Sequence, residues 1–384
     1  MGRLVALSMP GGPQWLEQLE RIWSDGDAVA PIDPAAPEPH RRRLLDALAP
    51  DVLIDEAGAR HQLDRGTPIE DGDALVMATS GTTASPKGVV LTHDALEAAA
   101  RSSSEALAQG TSCCWLACLP LHHIGGFSVV TRARASGAGL VIHDGFDAER
   151  VSAAARVGAT HTALVATALS RIDPATFEVI LLGGSAIPAD RPPNCIATYG
   201  MTESGAGIVY DGRPLHGVEL RIDSADIDGI GAIELRSPTL LRCYRDVTDP
   251  GGDDPKDAEG WFRTGDLGSV DPMTGFLTVS GRADDVIITG GEKVWPDAVE
   301  ALIATHRGVA EVAVIGRPDP QWGHVVTAVV VPTDRLSPPS LEDLRSLVRG
   351  SMPAYAAPKA IELTDRLPRS GLGKVSRARL RNGR

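Results

Sequence analysis

The chain has 384 residues, long enough for two domains, and its 43% hydrophobic and 23% charged residues are typical of a globular protein. Its 37 basic and 50 acidic side chains give a net charge of −13, which argues against general nucleic-acid binding. The apolar run 325–331 is too short to cross a bilayer, and the run after Arg3 is too short for a signal peptide. We therefore expect a cytoplasmic protein without membrane insertion.

Apolar, strand-like runs alternate with helical patterns as far as about residue 210. One helix is predicted over 94–108, with the Asp94 side chain as its N-cap, and another over 147–157. The strand-like runs around them are 52–54, 115–117, 140–142, 163–165 and 179–182. This alternation predicts a large domain of layered α/β architecture.

The pattern changes to short strands and turns over 217–279, which predicts a β-rich subdomain. Beyond 281–285 the sequence predicts a helix that starts at Pro296. Two strands at 312–315 and 325–331 and a second helix at 341–348 follow. These elements would form a small α+β unit of ordinary domain size. We predict a large domain over 1–281, a small domain over 285–384 and a joint near Asp284.

Residues 79–88, TSGTTASPKG, form a loop rich in hydroxyl groups between two apolar runs, so the loop is predicted to join two strands. Such a loop, with a lysine close by, can donate many hydrogen bonds to phosphate oxygens. It is not a Walker loop, because the sixth position from Gly81 is Pro86 rather than glycine. The candidate phosphate-binding residues are Thr79, Ser80, Gly81, Thr82, Thr83 and Lys87.

Residues 199–203, YGMTE, follow a predicted strand end at 196–198. In one tight turn, Tyr199 could stack on adenine, Thr202 could bond a phosphate and Glu203 could hold Mg²⁺. Hard Mg²⁺ takes one or two protein oxygens beside nucleotide phosphates, so a single carboxylate is enough. A plain surface turn is the alternative reading of this segment.

Six segments, in this order along the chain, resemble motifs of the adenylate-forming superfamily, which contains acyl-CoA synthetases, luciferases and non-ribosomal peptide adenylation domains. They are 79–88, 199–203, 261–266 (WFRTGD), 281–284 (GRAD), 290–293 (GGEK) and 368–374 (PRSGLGK). The resemblance implies a layered α/β N-terminal domain with a β-rich subdomain, and a small, mobile α+β C-terminal domain. The chain is short for the superfamily, with much of the missing part expected before Thr79, and Ala84 replaces a usual glycine of the loop.

The resemblance also implies a role for each matched residue. Thr202 would contact a phosphate, Glu203 would bind the metal, and Asp266 would accept hydrogen bonds from both ribose hydroxyls. Lys374 would reach ATP and the acyl carboxylate during adenylation. The remaining implied residues are Tyr199, Gly200 and Arg282 at the nucleotide, Asp284 as the pivot of the small domain, and Gly290 and Gly291 along the pantetheine channel of CoA.

The acid-binding side is predicted from the middle of the chain. Residues 119–126, LPLHHIGG, resemble the segment that places a histidine, here His123, beside the acyl pocket. Two adjacent histidines on a strand would point to opposite sides, so His122 and His123 are a poor metal pair. Residues 181–186, with Gly184 and Ser185, resemble the strand-end glycines that let adenine and the acyl group approach the backbone.

Residues 205–218 look most like o-succinylbenzoate-CoA ligases of menaquinone biosynthesis. Their substrate has two carboxylates, of which the succinyl one reacts and the aromatic one must be held. A buried aryl carboxylate needs donors or a counter-charge, and Arg132, nine residues beyond His123, is the candidate. A surface arginine on a helix is the alternative reading.

The sequence therefore predicts a magnesium-dependent, AMP-forming acid–thiol ligase that uses ATP and CoA. Its substrate would be a small carboxylic acid, most like o-succinylbenzoate, and a homodimer is expected from the resemblance. Three alternatives stay open: a CoA ligase for another aryl or alkyl acid, an enzyme that adenylates an acid for a carrier protein, and a catalytically silent nucleotide-binding protein.

Overall fold

The computed structural model describes residues 2–64, 66–79, 86–108, 112–184, 187, 190–245, 254–369 and 375–382. The chain divides into two compact units, Met1–Leu220 with Leu235–Phe262 and Arg221–Glu234 with Arg263–Arg384. Strands of the predicted β-rich segment thus group with the C-terminal residues, and a hinge at Asp284 stays a prediction. Within the described ranges, no helix is long and apolar enough to cross a membrane.

The strands in chain order are β1 (Leu4–Leu7), β2 (Ala28–Pro31), β3 (Val52–Ile54), β4 (Arg60–Gln62), β5 (Asp73–Thr79), β6 (Lys87–Thr92), β7 (Cys114–Ala117), β8 (Gly139–Ile142), β9 (His161–Leu164), β10 (Val179–Leu182), β11 (Cys195–Met201), β12 (Ala206–Tyr210), β13 (Arg213–Pro214), β14 (Glu219–Asp223), β15 (Gly231–Arg236), β16 (Cys243–Arg245), β17 (Phe262–Val270), β18 (Leu277–Arg282), β19 (Ile287–Thr289), β20 (Glu292–Val294), β21 (Val309–Asp319), β22 (Gly323–Pro332) and β23 (Ala360–Leu363). The α-helices are α1 (Pro13–Ser24), α2 (Glu38–Leu48), α3 (His93–Ala106), α4 (Ile124–Ser136), α5 (Ala148–Arg156), α6 (Ala166–Leu169), α7 (Pro296–Ile303), α8 (Leu341–Arg349) and α9 (Arg377–Arg381).

Two sheets organise the first unit. One has the order β16-β6-β5-β2-β1-β3-β4 and the other β13-β12-β11-β10-β9-β7-β8. Their parallel strands, such as β1 with all four residues buried, read as continuous apolar runs because helices cover both faces of such sheets. The alternation of strands and helices predicted for this part of the chain is confirmed.

The second sheet ends in antiparallel strands. Strand β11 runs parallel to β10 and then antiparallel to β12, so β11 and β12 form a hairpin. In its register Thr198 lies opposite Tyr210, and Tyr199 opposite Val209. The strand extends to Met201, which corrects the prediction that residues 199–203 form one turn after a strand end at 198.

The helix predicted over 94–108 is α3, but its cap was assigned wrongly. The Thr92 side chain accepts a hydrogen bond from the backbone of Ala95, and Asp94 lies inside the first turn. Both residue types cap helices well, and an acidic residue in the first turn is also favoured by the helix dipole. The second predicted helix is α5. Its N-cap is Asp147, the first residue of the predicted range.

Two further sheets belong mainly to the second unit. Their strand orders are β14-β15-β17-β18 and β20-β19-β22-β21. Helix α7 begins at Pro296 as predicted, and it buries Val299 and Ile303. These side chains join an apolar cluster with Val314, Val326 and Leu344. The predicted helix and strands of the small C-terminal unit are therefore confirmed by α7, β21, β22 and α8.

Candidate active site

The predicted phosphate-binding loop lies between two antiparallel strands, β5 and β6, as expected. Thr79 ends β5, Lys87 begins β6, and the two residues are partners in the ladder. The Thr79 hydroxyl donates a hydrogen bond of 3.4 Å to the Lys87 carbonyl oxygen. Ser80, Gly81, Thr82 and Thr83 lie outside the described residues, so their role stays a prediction.

Glu203 lies in a short 3₁₀ helix, Thr202–Ser204, that follows β11 directly. Just before it the β11–β12 hairpin is tight, because a Cβ at Gly200 would come within 2.1 Å of the Ala206 carbonyl oxygen. Only glycine fits such an approach. The buried Ser204 hydroxyl closes the turn by accepting from the Met201 backbone N–H at 3.0 Å. The carboxylate of Glu203 is therefore presented from a constrained backbone.

Tyr244 holds the Glu203 carboxylate, and no sequence motif singles this tyrosine out. Its hydroxyl donates to Oε1 of Glu203 at 2.9 Å, and the Lys87 ammonium lies 5.7 Å from the centre of its ring. Strand β16 places Tyr244 opposite Val89 of β6. Tyr244 thus links the end of the phosphate loop to the predicted metal ligand.

Arg132 lies on α4, where it is only 3% exposed. Its Nε donates to the Ser103 hydroxyl at 2.8 Å, and its Nη1 donates to the Ser128 hydroxyl at 3.0 Å. The guanidinium carbon lies 5.7 Å from the centre of the Trp115 ring. The alternative reading of Arg132 as a surface arginine is therefore wrong.

His123 occupies the N-cap position of α4, with an extended backbone and no capping hydrogen bond from its side chain. His122 and His123 lie in a turn rather than on a strand, and their rings meet edge to face with centroids 4.3 Å apart. The prediction that the two rings point to opposite sides is therefore wrong. Burial lowers the pKa of His122, which favours the neutral ring.

Gly184, with φ +83°, comes two residues after β10, where the strand-end glycines were expected. Ser185 lies outside the described residues.

Asp266 and Arg282 face each other in the second unit, on neighbouring strands β17 and β18. Nη1 of Arg282 donates to Oδ1 of Asp266 at 3.2 Å, and the backbone N–H of Asp266 donates to the buried Thr264 hydroxyl at 3.0 Å. The carboxylate is largely buried and fixed in orientation. A fixed carboxylate of this kind suits the predicted contact with ribose hydroxyls.

Gly290 and Gly291 form the tight turn between β19 and β20, with φ of +60° and +89°. A Cβ at Gly290 would lie 2.8 Å from the Trp322 ring, and its backbone N–H donates to the Trp322 carbonyl oxygen. The positive φ disfavours a side chain at both glycines, and the Trp322 ring also leaves no space for one at Gly290.

Asp284 lies in the 3₁₀ helix Ala283–Asp285, and its carbonyl oxygen accepts a hydrogen bond of 3.0 Å from Arg381. Lys374 lies outside the described residues. Three residues beyond it, Arg377 begins α9 and forms ion pairs with Asp285, Asp297 and Glu300.

Two family models match this chain. Residues 64–245 match the family described as AMP-binding enzyme, and residues 298–374 match the AMP-binding enzyme C-terminal domain. A probable 2-succinylbenzoate–CoA ligase from Mycobacterium tuberculosis is 40% identical over 339 residues, which cover 82% of this chain and 85% of that relative. The chain belongs to the AMP-binding enzyme family.

Further members of this family extend the likeness. The 2-succinylbenzoate–CoA ligase of Bacillus licheniformis is 34% identical over 81% of this chain and 70% of its own length. The solved o-succinylbenzoate CoA synthetase of Bacillus subtilis, bound to its acyl-adenylate intermediate, has a TM-score of 0.85 at 26% identity. The matched region covers 100% of this chain and 89% of the B. subtilis enzyme. The predicted family and fold class are confirmed.

Solved family members include the B. subtilis enzyme in complex with ATP and magnesium ion. The Glu203 carboxylate of this chain fits such an ion, since Mg²⁺ takes few protein ligands and keeps phosphate and water oxygens. Among the described residues, no group of three or more His, Cys, Asp or Glu side chains could hold a metal. The site thus suits a metal that arrives with its nucleotide.

Proposed function

We propose that this AMP-binding enzyme is an ATP-dependent 2-succinylbenzoate–CoA ligase (the substrate is also called o-succinylbenzoate) of menaquinone biosynthesis. In the first step a succinyl carboxylate oxygen attacks the α-phosphorus of ATP, and the bond to pyrophosphate breaks. In the second step the CoA thiol, losing its proton, attacks the acyl carbon and AMP leaves. The products are pyrophosphate from the first step, and the acyl-CoA thioester, AMP and the thiol proton from the second, so atoms and charge balance.

The buried, positively charged Arg132 is the observation that carries the choice of acid. It lies on the helix that begins after His123, and no carboxylate in the described part of the chain forms an ion pair with it. A buried charge without a counter-charge is costly, so a ligand carboxylate is a natural partner. Two relatives that share most of this chain carry the name of the enzyme for such a diacid.

The remaining roles rest on the resemblance of the motifs. We assign the triphosphate to the loop from Thr79 to Lys87 and to Thr202, and the metal to Glu203. Mg²⁺ would neutralise charge on the phosphates as it develops. Tyr199 and Gly200 would contact adenine with Gly184 and Ser185, and Asp266 and Arg282 would bind the ribose and the nucleotide.

The second half-reaction needs a different arrangement of the small unit. We propose that residues 285–384 turn about Asp284 after adenylation, which withdraws Lys374 from the active site. The same movement would present Gly290 and Gly291 to the pantetheine arm of CoA. We further propose that the enzyme acts in the cytoplasm and forms a homodimer.

Mass spectrometry of the products tests the function. The protein is incubated with Mg-ATP, CoA and either 2-succinylbenzoate, benzoate or a fatty acid. A thioester from 2-succinylbenzoate alone is the expected result. A thioester from another acid instead would mean that the enzyme is a CoA ligase for that acid. Acyl-AMP without thioester would indicate a carrier-protein acceptor. No product from any acid would favour a silent nucleotide-binding protein.

A further inference from the structure

We propose that Ser103 and Tyr210 are positioning residues that orient Arg132 for the aromatic carboxylate of the substrate without neutralising its charge. The inference rests on the proposed function, because it takes Arg132 as the group that holds the second carboxylate. It adds two residues to which the sequence assigned no role: Ser103, which lies in no motif, and Tyr210, which lies within the segment 205–218. Their hydroxyls decide which edge of the guanidinium is available.

The three side chains form one hydrogen-bonded chain in the core of the first unit. Nε of Arg132 donates to the Ser103 hydroxyl at 2.8 Å, and this hydroxyl lies 2.6 Å from the Tyr210 hydroxyl. Arg132 comes from α4, Ser103 from α3 and Tyr210 from β12. Their exposed fractions are 3%, 0% and 6%, so water does not compete for these bonds.

The nature of the partners matters as much as the distances. A hydroxyl accepts from the guanidinium and fixes its plane, but it carries no net charge. A carboxylate at the same place would form a bidentate ion pair and cancel the charge that the substrate needs. The hydroxyl chain therefore orients Arg132 and leaves it cationic.

The hydrogen bonds also select the free edge of Arg132. Nε is taken by Ser103 and Nη1 by Ser128, whereas Nη2 makes no hydrogen bond to any described residue. On one side lies the ring of Trp115, which is fully buried and whose indole nitrogen likewise has no partner in the described structure. The Nη2 edge is thus the one available to an incoming carboxylate.

The test compares two acids and four variants. The acids are 2-succinylbenzoate and 4-oxo-4-phenylbutanoate, which has the same reacting arm but lacks the ring carboxylate. The variants are Ser103→Ala, Tyr210→Phe, Arg132→Ala as the reference, and Ser102→Ala as the matched control. Ser102 lies on the same helix, and its hydroxyl donates to the His216 carbonyl oxygen at 3.0 Å rather than to Arg132.

We expect Ser103→Ala and Tyr210→Phe to raise KM for the diacid about 5- to 20-fold, or about 1–2 kcal/mol at 1.4 kcal/mol per tenfold, because the charge of Arg132 stays and only its orientation is lost. Their kcat and their kcat/KM for the monoacid should be unchanged. Arg132→Ala should abolish the preference for the diacid, and Ser102→Ala should behave as the wild type. Thermal unfolding of each variant separates these effects from loss of folded protein.

Each other result has a distinct meaning. If Arg132→Ala removes the preference while both hydroxyl variants keep it, the positioning role is wrong and the proposed function stands. Equal losses for both acids would show a merely structural role for Ser103 and Tyr210. If Arg132→Ala keeps the preference for the diacid, Arg132 does not bind the ring carboxylate and the inference is wrong. If the wild type forms no thioester, the proposed function itself is wrong.

Discussion

Two arginines, the buried Arg132 in the first unit and the half-buried Arg377 in the second, are held in opposite ways. Arg132 in the first unit contacts the hydroxyls of Ser103 and Ser128. Arg377 in the second unit contacts the carboxylates of Asp285, Asp297 and Glu300, which attach α9 to α7 and to the residues beside Asp284. The first charge is solvated by neutral groups, and the second is neutralised.

The difference indicates what each arginine is for. Burial alone would lower the pKa of Arg377, but its hydrogen bonds and charge attraction with Glu300, Asp297 and Asp285 raise the pKa overall. Such an ion cluster has no further use for an anion. Arg132 retains its attraction for one, as expected of a binding residue.

Glu203 follows the same rule as Arg132 with the sign reversed. Its carboxylate accepts from the Tyr244 hydroxyl, and no Lys or Arg of the described ranges forms an ion pair with it. A cation there would compete with a metal ion. Arg132 and Glu203, two charged residues of the first unit that we assign to ligands, are therefore both held by hydroxyl groups.

The largest expected effect comes from placing the same substitution at both arginines. Arg377→Met should lower the free energy of unfolding by about 3–5 kcal/mol, because three carboxylates lose their shared counter-charge. Arg132→Met should change it by no more than about 1 kcal/mol, or raise it, because an uncompensated buried charge is removed. Denaturant unfolding measures both, and equal losses would contradict the comparison.

A second prediction concerns Lys374, three residues before Arg377. Lys374→Ala should cost about 3 kcal/mol or more in the adenylation step, on the scale of one lost stabilising donor. Thioester formation from preformed acyl-adenylate should survive, since Lys374 is withdrawn in that step. The half-reactions are assayed separately by pyrophosphate release and by thioester yield. Equal loss in both would exclude the proposed movement about Asp284.

A third prediction tests the free charge of Arg132 directly. Arg132→Ala should raise KM for 2-succinylbenzoate by roughly 30- to 150-fold, equivalent to about 2–3 kcal/mol for one partner of a buried charge pair. KM for ATP should stay near the wild-type value. Steady-state kinetics with the diacid and a monocarboxylic acid decide, and the same loss with both acids would remove Arg132 from the substrate site.

The smallest effect is expected at Tyr244. Tyr244→Phe removes the hydroxyl that orients Glu203 and should weaken Mg²⁺-dependent ATP binding by about 1–2 kcal/mol. ATP binding in EDTA should be unaffected, because the ring beside Lys87 remains. Calorimetry with and without Mg²⁺ measures the difference, and an equal loss in both conditions would mean that Tyr244 supports the loop rather than the metal ligand.

The sequence indicates the motif residues but not the side chains that hold them in place. Thr79, Glu203 and Asp266 belong to local motifs at the ends or edges of strands. Such motifs can be recognised in a single sequence because their residues are close together along the chain. Ser103, Tyr210 and Tyr244 meet their partners across 29, 107 and 41 positions of the chain. Serine and tyrosine are common on strands and helices, so nothing local distinguished these hydroxyls.

The local errors have physical causes too. Thr92 and Asp94 are both good helix caps, so the sequence alone could not choose between them. His122 and His123 were considered as strand residues, whereas the chain turns there before α4. Two adjacent residues of one type show no periodicity that could separate a strand from a turn.

The uncompensated charge of Arg132 also bears on how this enzyme could be improved. Mutant libraries selected only for heat resistance would favour apolar replacements at position 132, since the folded protein without substrate carries the energetic burden of that charge. Such variants would keep the fold, ATP binding and the reactive chemistry. They would lose the ability to tell a diacid from a monoacid, so selection at this position must include the substrate.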